Sequence, residues 1–132
     1  MRRFLTETGG AMAIEFAVTA TALLALALGA EEYGRMLWTQ QVLQGAASVT
    51  ARCLSIGSTS CPSAGTYAAN IASQRGVADV AAANVTVAAA SACGGVGSNF
   101  TQVTISYNFA AVVPALVPGP ASAMTASACY PN

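Results

Sequence analysis

Residues 11–30 read Ala-Met-Ala-Ile-Glu-Phe-Ala-Val-Thr-Ala-Thr-Ala-Leu-Leu-Ala-Leu-Ala-Leu-Gly-Ala, an apolar run with one charge, Glu15, and no proline. Twenty helical residues reach about 30 Å, the thickness of a bilayer's hydrocarbon core. A chain that carries such a run buries it in lipid, hides it in a partner, or loses it by cleavage. Arg2 and Arg3 precede the run. By the positive-inside rule they place the N-terminus in the cytoplasm and everything after residue 30 across the membrane. The expectation is a single-pass membrane protein whose C-terminal part lies outside.

No proline follows until Pro62, so the helix has no reason to stop at residue 30. Beyond it, Tyr33, Leu37, Leu43, Ala47, Ala51 and Leu54 recur at helical spacing, with Met36 and Trp38 alongside. Gln41, Gln44, Ser48 and Arg52 run along another side, with Glu32 and Arg35 before them. Gly34 and Gly45 each disfavour a helix by about 1 kcal/mol relative to alanine, yet neither lies in a turn-forming cluster. The pattern predicts one helix over residues 11–54, about 65 Å long, half in the membrane and half amphipathic outside it. Glu31 and Arg35 stand at i,i+4, a pairing worth a few tenths of a kcal/mol. Glu31, Glu32 and Arg35 read as a solvated face, with a subunit contact as the sharper alternative.

The remainder reads as a small α+β unit. Residues 55–65 carry Ser, Gly, Thr and Pro62 and predict a loop. A second helix is expected over residues 64–75, with Tyr67, Ala68, Ile71 and Ala72 on one face and Gly76 as its stop. Strands are expected over residues 84–92 and 101–109. The second alternates cleanly, with Val103, Ile105, Tyr107 and Phe109 on one face. Residues 93–98 read as a hairpin-like loop. Pro114, Pro118 and Pro120 argue against regular structure over residues 111–120, and a last strand is expected within 121–129. The fold class is α+β: a long N-terminal helix packed with a small antiparallel β-sheet. The chain divides into a leader (1–10), a membrane half of the helix (11–30), its outer continuation (31–54) and the outer domain (55–132).

The four cysteines, Cys53, Cys61, Cys93 and Cys129, all follow the apolar run. An even number in a short exported chain points to disulfides. A metal site is the competing reading, but the spacings are irregular and the chain has no histidine. Four cysteines allow three pairings. Cys53–Cys61 is favoured because it closes a short loop where the long helix ends. Cys93–Cys129 is favoured because it ties the loop after the first strand to the C-terminal strand, contributing roughly 3–4 kcal/mol. The geometric difficulty is that the strand of residues 101–109, if it lies between the other two, has to be crossed.

Charged residues make up only 8% of the chain and the formal net charge is zero, so no basic face exists to grip nucleic acid. With no histidine or lysine, and Asp79 the only acid beyond the leader and long helix, neither a nucleophile–base pair nor a carboxylate pair assembles. Phosphate-binding glycine motifs are absent. The expectation is a non-enzymatic protein without cofactor or metal.

The informative motif is Gly10-Ala11-Met12-Ala13-Ile14-Glu15-Phe16: a glycine, four small or apolar residues, then a carboxylate at the mouth of a membrane helix. It resembles the type IV prepilins, in which a prepilin peptidase cuts after the glycine. Carried over, the cut falls between Gly10 and Ala11, and the new amine on Ala11 of one subunit neutralises Glu15 of a neighbour. The order Ala13-Ile14-Glu15-Phe16-Ala17, Glu32-Tyr33-Gly34-Arg35, Gln40-Gln41 and Ala51-Arg52 is similar to TadE-like proteins, as is the closing Ser127-Ala128-Cys129-Tyr130-Pro131. That resemblance covers residues 9–54 well and the rest in outline. It implies a minor pilin or pseudopilin serving Tad pilus assembly and adhesion. The implied partners are other pilin-like subunits, the assembly platform, the prepilin peptidase and the membrane. A stripe of small residues, Ala13, Ala17, Thr21, Ala25 and Gly29, suits close helix packing in lipid. The alternative is an ordinary signal peptide cut after Ala25-Leu26-Ala27, releasing a soluble binding domain.

Overall fold

The structure, a computed structural model, describes residues 9–94, 96–113 and 123–132. The expectations for Arg2 and Arg3, and for Pro114, Pro118 and Pro120, lie outside the described residues. The long helix α1 runs without a break over Gly9–Ser55, about 70 Å at 1.5 Å per residue. Helix α2 (Ala64–Gln74), a single 3-10 turn (Ala82–Asn84) and strands β1 (Val85–Cys93), β2 (Val96–Asn108) and β3 (Ala123–Pro131) follow. The strands form one antiparallel sheet in the order β1-β2-β3. The architecture is thus α+β, a long helix carrying a three-stranded sheet.

Both helices end in the same way. Gly57 (φ +62°) donates to the Leu54 carbonyl and Ser58 to that of Cys53. Gly76 (φ +88°) donates to Ser73 and Val77 to Ala72. This is the Schellman arrangement, in which a left-handed glycine lets the chain turn back and satisfy the last carbonyls. Val77, the residue after the second of these glycines, is itself buried in the core.

The outer half of α1, β2 and β3 enclose the core, with α2 alongside. On α1 the buried positions are Val42, Leu43, Ala46, Ala47 and Ala51. Val103, Ile105 and Phe109 come from β2 and its exit, Met124 and Ala126 from β3, and Ala68 and Ala72 from α2. Alanines dominate the helical side, so the sheet lies close against α1. The core face therefore differs from the apolar stripe read in the sequence. Leu43, Ala47 and Ala51 are on it and Met36 and Leu54 border it, but Tyr33, Leu37 and Trp38 are 58%, 48% and 63% exposed. In the same turns Glu32 and Thr39 are buried and Met36 borders the core, so the covered face of α1 is rotated away from those three.

The hairpin is tighter than expected. Cys93 pairs with Val96, and β2 starts there rather than near residue 101. Gly94 (φ +58°) and Gly97 (φ +71°) take the left-handed backbone that permits so short a reversal. β2 does lie between the other strands, and Cys93 still bonds to Cys129 with α-carbons 6.2 Å apart. Strands two apart in a flat sheet stand about 9.5 Å from each other. Register shifts between Ala88 and Ser91 and between Ser91 and Cys93 mark where β1 departs from that flat arrangement. The other disulfide, Cys53–Cys61, closes the loop after α1, with α-carbons 6.3 Å apart.

Two substitutions separate packing constraints of opposite sign. A Cβ on Gly65 would stand 2.5 Å from the Ala82 carbonyl oxygen, which is backbone and does not swing aside. Gly65→Ala is expected to lower the melting temperature despite alanine's better helix propensity. The Thr50 hydroxyl is fully buried and has no partner among the described residues. Thr50→Val, of nearly the same shape, is expected to raise stability by about 1 kcal/mol. Thermal unfolding of the full chain in detergent checks both.

Candidate assembly surface

From Gly10 to Glu31, α1 touches almost nothing else in the chain. The apolar window of this helix has a mean hydropathy of 2.0, is long enough to cross a membrane, and none of it is buried. Met12 and Phe16 are each 74% exposed, and Ile14, Val18, Leu23, Leu24, Leu26 and Leu28 are exposed as well. The two threonines in this half present little polarity. Thr19 donates its hydroxyl to the Glu15 carbonyl (2.9 Å) and Thr21 donates to that of Ala17 (2.7 Å). Such back-bonding makes a threonine behave as an apolar residue in lipid.

Gly10 lies within the first turn of α1, and nothing stands within 4 Å of a Cβ placed on it. Glu15 is exposed, one helical turn beyond Ala11 on the same face. Ala17, Thr21 and Ala25 line a shallow apolar groove with Ile14, Val18 and Ala22. At 100° per residue, Ala13 and Ala17 stand roughly 160–200° around the helix from Glu15. The groove therefore begins opposite the carboxylate and winds towards its side, Ala22 at i+7 lying within about 20° of it.

The segment Glu32-Tyr33-Gly34-Arg35 divides its work, and two sequence expectations are corrected here. Glu32 is not on a solvated face: it is 5% exposed and accepts the Val112 backbone N–H at 2.9 Å through Oε1. Its Oε2 pairs with Arg35 Nη1 at 3.3 Å, so Arg35's partner is Glu32 at i,i+3 and not Glu31. The Arg35 guanidinium also stands 5.6 Å from the centroid of the Phe109 ring. The reason is the exit of β2, which passes across this turn of α1 and offers an N–H that Glu31, on the outer side, does not reach. Tyr33 and Gly34 point outward, and Gly34 has open space around it.

Gln40 and Gln44 have a role that their polarity alone did not indicate. Their side-chain amides donate to the Thr125 carbonyl (3.1 Å) and the Ser127 carbonyl (2.7 Å) of β3. Four residues of helix rise about 6 Å and two of strand about 6.7 Å, so the amides match successive outward carbonyls of the edge strand. The i,i+4 glutamine spacing was the available signal. Among the described residues no group of three or more His, Cys, Asp or Glu could hold a metal, and all four cysteines are in disulfides.

Residues 10–52 match the family model described as TadE-like protein. The matched segment is α1 nearly end to end, and the sheet lies outside it. No curated protein and no solved structure matches the chain significantly.

Glu32→Ala would strip the Val112 N–H and Arg35 of their acceptor. It is expected to lose about 1–3 kcal/mol, whereas Glu31→Ala stays within about 0.5 kcal/mol. Paired melting curves of the two variants measure the difference.

Proposed function

Starting from a TadE-like helix, we propose that this chain is a membrane-anchored, pilin-like subunit, of the minor pilin or pseudopilin kind, that serves Tad pilus assembly and adhesion. The observation that carries the reading is the first half of α1: an apolar helix exposed on every side, broken by one carboxylate with a glycine five residues ahead. Buried among lipid tails or neighbouring helices, that half stops being a liability in water. Glu15 is unfavourable in hydrocarbon by up to about 2.5–3.5 kcal/mol, less near the helix end. The cost is offset if cleavage after Gly10 frees an amine on Ala11, which then meets Glu15 of an adjacent subunit. The carboxylate thereby sets the axial register between copies, while the Ala13, Ala17, Thr21, Ala25 and Gly29 stripe, which winds round the helix, admits a close neighbour along its length.

In this reading the N-terminus faces the cytoplasm and the sheet domain the periplasm, where Cys53–Cys61 and Cys93–Cys129 form. Other pilin-like subunits, the assembly platform and the prepilin peptidase are its partners. A second reading, a soluble binding domain released by signal peptidase after Ala27, is favoured by one observation. Packing of α1 onto the domain begins only at Glu32, so the cut would leave that packing intact. Glu15 near the start of the apolar core speaks against it.

N-terminal sequencing of the protein from its own host separates the two: a start at Ala11 is expected, and a start at Leu28 would overturn the pilin-like reading. Gly10→Leu should leave the precursor uncut. Glu15→Gln is expected to keep membrane insertion, since it removes a charge, and to lose pili under electron microscopy. Normal piliation would refute the role given to Glu15.

A further inference from the structure

A cleft of about 490 Å3 opens between the first outer turns of α1, the turn after α2 and the end of β2. That volume falls within the usual range of small-molecule sites, about 300–1,000 Å3. Gly34, Arg35, Trp38, Asp79, Tyr107 and Phe109 line it. Arg35 spends one N–H on Glu32, and its side chain remains 45% exposed; a guanidinium has five donors, so others remain to offer. Asp79 is exposed and has no hydrogen-bond or ion-pair partner among the described residues. Trp38 is 63% exposed, its indole N–H turned to the Arg75 carbonyl at 3.4 Å. One opening therefore presents a cation with donors to spare, an unpaired carboxylate and aromatic surface.

The unbroken helix fixes the height of this cleft. Measured from Ala30, the end of the apolar run, Gly34 stands about 6 Å and Trp38 about 12 Å further along the axis. A headgroup layer is about 5–7 Å thick on each side of the hydrocarbon. The cleft opens at the level of the headgroups, and Trp38 stands just above them. Tyr33 and Leu37, exposed on the neighbouring turn, add apolar surface at the same level, as aromatic belts do in membrane proteins.

We propose that the cleft takes the zwitterionic headgroup of a phospholipid beside the anchor, its phosphate on the remaining N–H groups of Arg35 and its ammonium on Asp79. An anionic glycerol headgroup would satisfy Arg35 and leave Asp79 facing a like charge; a headgroup carrying both charges answers both residues. The bound lipid seats the outer domain on the membrane and holds Trp38 against the headgroup layer. The proposal rests on the membrane-anchored reading above.

Trp38 is the only tryptophan in the chain, so intrinsic fluorescence reports on it alone. The full chain is reconstituted in bilayers of phosphatidylethanolamine with phosphatidylglycerol, and in phosphatidylglycerol alone. With the zwitterionic lipid present, Trp38 is expected to emit further to the blue. Nitroxide on the headgroup should quench it more strongly than nitroxide deep in the acyl chain. Without that lipid, or in Asp79→Asn with it, quenching by an uncharged aqueous quencher, acrylamide, is expected to rise about two- to fivefold, the range an exposed ion pair supplies. Equal emission and acrylamide quenching in both bilayers, or an Asp79→Asn chain that behaves as the parent, would overturn the proposal. Carbonate washing of the same vesicles tells the two failures apart. A chain that washes off sinks the anchored reading and the cleft with it, while a retained chain whose Trp38 ignores lipid composition sinks the cleft alone.

Discussion

Everything in this molecule hangs on the continuity of one helix. α1 carries an exposed apolar half and a half that forms one wall of the core, with no proline or kink between them. The backbone ladder through residues 30–40 is therefore the sole α-helical link between the apolar segment and the sheet. Glu32 and Arg35 sit in that stretch and fasten the exit of β2 to it. Because the alanines at 46, 47 and 51 keep the helix surface smooth, the sheet approaches closely and follows the axis rather than swinging from it.

The domain is small, and its largest fully buried side chains are Leu43, Ile105, Val103 and Thr50. Such a core provides limited apolar burial, and other devices supplement it. Gln40 and Gln44 satisfy carbonyls on the outer edge of β3, so that edge offers fewer groups to a stray strand. Two disulfides restrict the unfolded chain. At the tail, the Asn132 backbone N–H bonds to the Asn99 carbonyl at 3.1 Å, and Thr101 donates to the Asn132 side chain.

Much of this was legible in the residues, for identifiable reasons. Helical periodicity and the lack of proline marked α1 to within two residues at its start and one at its end. The alternation of Val103, Ile105 and Phe109 marked the core face of β2, and Gly76 marked the end of α2. What escaped was whatever depended on a distant segment. Nothing near Glu32 announces that the N–H of Val112, eighty residues on, needs an acceptor. Tyr33 and Leu37 fall at helical spacing with Trp38 alongside, but the covered face runs through Glu32, Met36 and Thr39, two of them polar and so not marked by an apolar period. The early start of β2 was hidden because the glycines around Val96 read as loop until its pairing with Cys93 draws it into the sheet. The candidate surface was read from Gly10, Glu15 and the small-residue stripe, all within one continuous stretch, whereas the Trp38 cleft required three separate segments to be brought together.

The disulfide that crosses β2 has a mechanical consequence. Cys93 and Cys129 close a covalent ring containing all of β2 and most of β3. Traction applied beyond Cys129 thus reaches the β1–β2 hairpin through the disulfide before it can unzip the ladder between β2 and β3. At its other end the load enters α1, where the glutamine contacts to β3 lie side by side and are sheared together rather than peeled singly. Under such a load the β1–β2 hairpin and β3 move as one covalently joined body rather than parting strand by strand.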